Sequence, residues 1–153
     1  MAEDEHLLDQ AIDLYLTGLK GLGSFISEPS AAFSLSFEQY LILRSIVHQP
    51  GVKLMDIAKE RGVTRSAVSR QLKVLLTNHY VIQKKDPADR RRQSLVATPE
   101  GKKVEGQIAQ RVKKRFSNWL TIFGTERGAK LLDLLSAFNQ QIVQANKEKD
   151  ESK

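Results

Sequence analysis

Apolar residues recur at every third or fourth position through most of the chain, a spacing that predicts amphipathic helices. The first helix is predicted over residues 5–27, with glycines weakening its second half and Pro29 lying beyond its end. Ser36 and Gln39 have the spacing of a capping box, in which each side chain bonds the other residue's backbone. A second helix is therefore predicted from this point to the turn-forming residues 49–51.

A short helix over residues 54–61 is followed at once by another, and the pair has the pattern of a helix-turn-helix. Gly62 is expected to cap the first helix in the left-handed conformation, and Thr64 is expected to cap the next. The helix that begins after Thr64 extends to about Thr77. Because only three residues separate the two helices, they must cross steeply rather than lie antiparallel.

After this pair the pattern changes to two short runs of β-forming residues, at 80–84 and 93–97. Residues 85–92 between them are turn-forming and basic, which predicts a β-hairpin with a charged tip. Thr98 and Pro99 then have the residue types of a helix cap and a first helical position. The predicted fold class is mainly α with one small β-hairpin.

Two further helices are predicted after Pro99, separated by a break at Gly124 and Thr125. The apolar stripes at residues 7–26 and 131–142 exceed what a monomer of 153 residues could cover. The chain is therefore expected to be a homodimer.

Residues 64–77, placed on a helical wheel, have one apolar and one polar face. The apolar face must meet the core and comprises Val68, Leu72, Leu75 and Leu76. The polar face carries short hydroxyls and long cations: Ser66, Ser69, Arg70, Lys73 and Thr77, with Arg65 at its edge and Thr64 at the cap. Such a face suits the major groove of DNA, because Arg can bond guanine twice and Ser lets the helix approach closely. A solvated helix face is the alternative interpretation.

The distribution of charge points to a polyanionic partner. The net charge is +6, but residues 59–92 alone have ten basic against three acidic side chains, a balance of +7. Residues 1–28 have a balance of −5. A basic block of this kind is typical of a nucleic-acid-binding surface, although a solvated basic face would have the same composition.

Composition and motifs exclude several classes of function. The sequence contains no cysteine, which excludes a disulfide scaffold, Cys-ligated zinc and thiol redox control. It has no apolar run long enough to span a membrane and no signal-peptide pattern, so a cytoplasmic location is expected. His6, His48 and His79 lie on separate predicted elements, which favours surface or capping roles over a zinc site. Without a phosphate-binding loop or an activated nucleophile, we expect neither enzyme activity nor a cofactor.

Residues 52–101 closely resemble the winged helix-turn-helix core of MarR-type transcriptional regulators. The wing pattern of that family, Asp-Pro-x-Asp-x-Arg, stands here at residues 86–91. Its exit pattern, Leu-x-x-Thr-x-x-Gly, stands at residues 95–101. The number and length of the flanking helices also match. The resemblance implies that the hairpin is the wing of a winged helix-turn-helix.

The resemblance further implies a homodimer that binds a pseudo-palindromic operator in double-stranded DNA, and a repressor released by a small-molecule effector. Residues 1–35 and 99–153 would then form the helical dimerisation region, and residues 36–98 the DNA-binding region. Arg70 matches a position at which relatives contact a base.

In the wing, Asp89 matches the acid that aims an Arg in the family. Arg90 and Arg91 are both candidates for entering the minor groove, with Arg92 beside them.

Two positions depart from the family pattern. Val74 stands where relatives often have an Arg, which would remove a contact to phosphate or base. His79 stands where they often have a helix-capping Gly. Either His79 or Asn78 must then take the left-handed conformation, at some cost in strain.

The effector and the partner each leave an alternative open. Tyr40, Phe116 and Trp119 are candidates to line a pocket for a small aromatic effector, as in the family, or are core and dimer-seam residues. The alternative to a DNA-binding regulator is an interaction module whose winged helix binds protein or RNA. The polar face of residues 64–77 together with the Arg-rich wing argues against that alternative.

Overall fold

The computed structural model of the protein describes residues 2–85, 87–89 and 93–144. Within these ranges the α-helices are α1 (Ala2–Leu14), α2 (Lys20–Ala31), α3 (Phe37–His48), α4 (Leu54–Arg61), α5 (Arg65–Thr77), α6 (Pro99–Phe123) and α7 (Thr125–Phe138). The strands are β1 (Val81–Lys85) and β2 (Gln93–Ala97). The prediction of a mainly α fold with a small β-hairpin wing is confirmed.

The first helical run is longer than predicted and is not uniform. A π-helical turn over Tyr15–Leu19 joins α1 to α2, and within it Thr17 donates its hydroxyl to the carbonyl of Asp13 at 2.6 Å. The prediction that Pro29 lies beyond the helix is wrong, because α2 continues through it to Ala31. Proline has a helical φ and removes only one backbone donor, and the buried Ser30 donates its hydroxyl to the Ser27 carbonyl at 2.8 Å.

The predicted helix boundaries around the core are confirmed by their caps. The Ser36 side chain accepts from the Gln39 backbone at 3.1 Å, and the Gln39 side chain accepts from the Ser36 backbone at 2.9 Å.

α3 packs against α2, α5 and β2, while α4 packs on α5 and β2. The fully buried side chains of this core include Leu35, Ile42, Leu43, Ile46, Ile57, Val68, Leu72, Leu75, Val81, Leu95 and Ile108.

The strands pair antiparallel, from Val81 opposite Ala97 to Lys85 opposite Gln93. On its other side β2 is bonded to the segment between α3 and α4. Gly51 donates to the Leu95 carbonyl, and the Leu95 N–H donates to the Val52 carbonyl, both at 2.9 Å. Strand β2 is therefore bonded on one side to β1 and on the other to the segment that joins α3 to α4. This second pairing anchors the hairpin to the helical core.

The two ends of the hairpin meet at Thr98. Its N–H donates to the Tyr80 carbonyl at 3.0 Å and its hydroxyl donates to the His79 carbonyl at 2.8 Å. The same hydroxyl accepts from the Gly101 N–H at 3.0 Å, which confirms Thr98 as the cap of α6. A Cβ on Gly101 would overlap the Tyr80 carbonyl, so only glycine fits at this junction.

The chain divides into two compact units, Met1–Val112 and Lys113–Lys153, each described by itself. The first contains the core, the helix-turn-helix and the hairpin. In the second, Gly124 has a φ of +96° and separates α6 from α7, as predicted. A Cβ on Gly128 would meet the Leu120 side chain at 2.7 Å, so this glycine allows a close approach near the start of α7.

Candidate DNA-binding surface

The helix-turn-helix is formed by a tight left-handed turn between α4 and α5. Gly62 has a φ of +61°, and the N–H of Val63 donates back to the Ala58 carbonyl at 3.0 Å. Thr64 then caps α5 by accepting from the Ala67 N–H at 3.2 Å. Both predicted caps are confirmed, and they fix where α5 begins.

The polar face of α5 is exposed and its apolar face is buried, as the helical wheel predicts. Val68, Leu72 and Leu75 are at most 2% exposed. The exposed residues of the opposite face are Thr64, Arg65, Ser66, Ser69, Arg70, Lys73 and Thr77. We call this set the α5 polar face. Thr64 and Ser66 place their hydroxyl oxygens 3.1 Å apart at its N-terminal end, beside the first backbone N–H groups of the helix.

The two departures from the family pattern have clear structural outcomes. Val74 is half-buried and packs against the core, so its side chain does not belong to the α5 polar face. His79 has a φ of +57°, whereas Asn78 has a φ of −79°. The left-handed position therefore falls to His79.

The wing contributes a second group of candidate residues. Lys84 and Lys85 at the end of β1 are exposed, and Asp89 at the tip is half-buried. The other predicted wing residues, Arg90, Arg91 and Arg92, and the preceding Asp86, lie outside the described residues.

Sequence reasoning missed two side-chain links at the first turn of α3. Arg61, the last residue of α4, contacts Glu38 Oε1 through Nε at 2.9 Å and Nη2 at 2.6 Å. Gln39 Nε2 donates to Gln71 Oε1 of α5 at 3.0 Å. The only sequence signal for the second link is that Gln71 stands between the exposed Arg70 and the buried Leu72, at the edge of the apolar face.

The candidate effector residues fall into both units. In the first unit Tyr40 is buried with its ring centroid 5.9 Å from that of Phe37. Burial raises the pKa of the Tyr40 hydroxyl, the buried Glu105 raises it further, and Arg44 partly offsets them. Glu105 lies 3.8 Å from His48 Nε2. This places a buried acid, which sequence reasoning missed, beside a predicted pocket residue.

In the second unit, Phe116 and Trp119 belong to an aromatic row. The ring centroids of Phe116 and Trp119 are 5.5 Å apart, and Trp119 stacks on Phe123 at 5.4 Å. The guanidinium of Arg127 lies 4.5 Å from the centroid of Phe123. This row offers flat apolar surface next to a cation, a combination suited to an aromatic acid.

Two features that would indicate other functions are absent from the part of the chain that the structure describes. No helix there is long and apolar enough to cross a lipid bilayer. Among the same residues, no group of three or more His, Asp or Glu could hold a metal ion. His6 instead contacts Gln10 Nε2 at 3.1 Å, and His48 faces Glu105.

Residues 33–92, which span α3 to the tip of the wing, match the family model described as MarR family. This match covers the helix-turn-helix and most of the wing, the same part of the chain that carries the resemblance in sequence. The two curated proteins that match are named as transcriptional regulators, in line with the expectation that this chain is not an enzyme.

Two curated regulators share part of the sequence. HosA of Escherichia coli O111:H- is 29% identical over 70 residues, which cover 46% of this chain and 52% of HosA. This chain thus matches only about half of HosA. FarR of Neisseria gonorrhoeae is 26% identical over 103 residues, or 67% of this chain and 70% of FarR.

Solved structures share the fold across nearly the whole chain. A MarR family transcription regulator has a TM-score of 0.81 at 16% identity, covering 97% of this chain and 98% of its own. Staphylococcus aureus MarR in complex with salicylate and kanamycin has a TM-score of 0.74 at 17% identity, covering 94% and 97%. The S. aureus MepR–DNA complex has a TM-score of 0.73 at 19% identity, covering 84% and 96%.

Proposed function

We propose that this protein is a regulator of the MarR family: a homodimer that binds a pseudo-palindromic operator in double-stranded DNA and represses transcription until a small aromatic effector releases it. The observation that carries the DNA-binding proposal is the α5 polar face, with hydroxyls and cations exposed on a helix whose other face packs against the core. The fold shared with the MepR–DNA complex supports it. Such a regulator acts in the cytoplasm, beside the DNA.

The proposed contacts have two parts. Arg70 reads a base in the major groove, with Thr64, Arg65, Ser66, Ser69 and Lys73 as the other contacts of the α5 polar face. At the wing, Asp89 aims Arg90 or Arg91 into the adjacent minor groove, with Arg92 at the backbone. An Arg gains most where A/T-rich sequence narrows that groove, so A/T pairs are expected beside each half-site.

Selection of bound duplexes from a random library tests the DNA-binding proposal directly. We expect a pseudo-palindromic consensus with half-site centres about 10 bp apart, because a symmetric dimer presents two α5 helices to successive turns of one groove face. Recovery of no consensus, with binding to RNA or protein instead, would support the alternative interaction module.

Arg70→Ala separates base reading from phosphate binding. We expect a cost of about 1–3 kcal/mol per half-site and a relaxed preference at one base pair. Lys103→Ala, which removes an exposed cation of α6, is the matched control and should leave that preference intact. A uniform weakening for every sequence would instead make Arg70 a phosphate contact.

The effector proposal rests on the aromatic row and on the salicylate-bound neighbour. Trp119 is the only tryptophan in the sequence, so its fluorescence reports on this row alone. Titration with salicylate should quench that fluorescence and weaken operator binding over the same concentration range. Quenching without release of the operator would show that salicylate binds at this row but does not regulate DNA binding.

A further inference from the structure

Neighbouring residues at the first turn of α3 each hold one helix of the helix-turn-helix. Glu38 bonds Arg61 at the end of α4 with two short contacts, and Arg61 is largely buried. Gln39 bonds Gln71 in the middle of α5. The first turn of α3 is therefore a common support for both helices.

The orientation of the Gln39 amide is fixed before it meets α5. Its Oε1 accepts from the Ser36 N–H at 2.9 Å as part of the capping box, so its Nε2 is left to donate, and it does so to Gln71 at 3.0 Å. A glutamate at this position would complete the capping box equally well but would have no donor for α5. Glutamine therefore does something here that capping alone does not require.

The apolar contacts of α5 determine which face of the helix is buried, but they constrain a small rotation less sharply than a hydrogen bond does. The buried side chains of α5, Val68, Leu72 and Leu75, pack through apolar contacts, which have no preferred direction. A hydrogen bond weakens steeply as its angle departs from linear, so the Gln39–Gln71 bond resists rotation of α5 about its axis. Because the exposed side chains share one rigid helix, a small rotation would redirect them all together.

We propose that Gln39 and Gln71 are positioning residues for DNA recognition, whose hydrogen bond sets the direction in which the α5 polar face points. The Glu38–Arg61 pair acts in the same way on α4. This inference rests on the proposed DNA-binding function and extends it to residues that need not touch DNA.

The test compares variants that remove or keep the acceptor at residue 71. Gln71→Met keeps the length of the side chain and removes the hydrogen bond. Gln71→Glu keeps an acceptor for Gln39 Nε2 but adds a negative charge. The measurement is the ratio of affinities for the selected operator and for single-base-pair variants of it, together with thermal unfolding. Gln107→Met, at an exposed position of α6, is the control for the substitution itself.

We expect Gln71→Met to lower the discrimination ratio about fivefold or more, while binding to random duplex is retained. A fivefold change is about the smallest expected for the loss of one base contact. Gln71→Glu should weaken binding to every duplex, because its charge repels phosphate, yet keep the discrimination ratio. Gln39→Met should reproduce the loss of discrimination from a different helix. Should Gln71→Met fail to fold, Gln71→Ala takes its place.

Three results would overturn the inference. Discrimination within twofold of the unsubstituted protein in Gln71→Met would show that the bond does not aim α5. If Gln71→Met lowers the discrimination ratio and Gln39→Met does not, Gln71 is a direct DNA contact instead. If the unsubstituted protein selects no sequence at all, the proposed function fails and this inference fails with it, whereas the first two results leave the proposed function standing.

Discussion

The chain has two kinds of apolar residue, and they differ in what covers them. The core between residues 35 and 108 contains side chains that are at most 8% exposed. Over residues 7–26 and 116–143, by contrast, the large exposed apolar side chains range from 36% to 88% exposed. The same three- or four-residue spacing runs through both regions.

The difference separates folding from assembly. The buried apolar side chains of the middle region are covered by other parts of the same chain. The terminal helices have apolar faces that a single chain leaves in water, and exposed patches of this kind mark interaction sites. We infer that a second copy covers them, so the stability of these helices should depend on protein concentration while that of the core should not.

Truncation of a core leucine should give the largest effect. Leu43→Ala, at a fully buried position, is expected to lower the free energy of unfolding by about 2–5 kcal/mol, because it leaves a cavity as well as losing buried area. Leu134→Ala removes the same atoms from a side chain that is 68% exposed in one chain. Urea unfolding at two protein concentrations should show a loss for Leu43→Ala that is unchanged by dilution. A loss for Leu134→Ala that is also unchanged would contradict the distinction.

Placing charge on the apolar stripe at residues 131–142 should break the proposed dimer. Leu134→Asp would bury an unpaired carboxylate if a second copy covers it, and the dissociation constant should rise about 100-fold, or about 3 kcal/mol. Sedimentation velocity at low micromolar concentration measures this. Met55→Asp, at an exposed apolar position on α4, is the control and should leave the sedimentation coefficient unchanged. A soluble, stable monomer before any substitution would refute the dimer itself.

Two glycines of α6 test how tightly the middle region is packed where the wing meets this helix. Gly101→Ala should cost about 1–3 kcal/mol, because its Cβ overlaps the Tyr80 carbonyl and backbone must move. Gly106→Ala lies in the same helix with nothing within 4 Å of its Cβ, so it should add about 0.5–1 kcal/mol. Thermal unfolding should show a lower melting temperature for Gly101→Ala and a higher one for Gly106→Ala. Equal effects would mean that the contact at residue 101 relaxes freely.

The smallest expected effect is at the end of α5. His79→Gly should stabilise the protein by about 0.5 kcal/mol, since glycine adopts the left-handed conformation without strain but is more flexible when unfolded. Asn78→Gly is the adjacent control, and because its φ is already favourable it should only destabilise. A loss in both variants would mean that the His79 side chain has a stabilising role of its own.

Features that depend on residues a few positions apart could be predicted from the sequence. The caps at Ser36, Thr64 and Thr98 and the turn at Gly62 are bonds within three or four residues, and the structure confirms each. The buried and exposed faces of α5 follow in the same way from its helical period.

Features that depend on packing between distant segments could not. The bond between Gln39 and Gln71 joins residues 32 apart, and nothing in the local sequence of either indicates the other. The burial of Glu105 beside His48 likewise arises only when α6 lies against α3. Pro29 is a different kind of failure, because its residue type favours a helix end and its neighbours carry the helix through it.

The closure of the hairpin at Thr98 has a consequence for how such proteins can change over evolution. The chain leaves the helical core at Tyr80 and returns at Thr98, where a 3.0 Å bond joins the two residues. Mutations, insertions or deletions in the tip are therefore confined to a loop whose ends stay in place. A lineage can vary the length and charge of its wing while keeping the same helices. The wing, which is proposed to meet flanking DNA, can therefore diverge while the fold is kept.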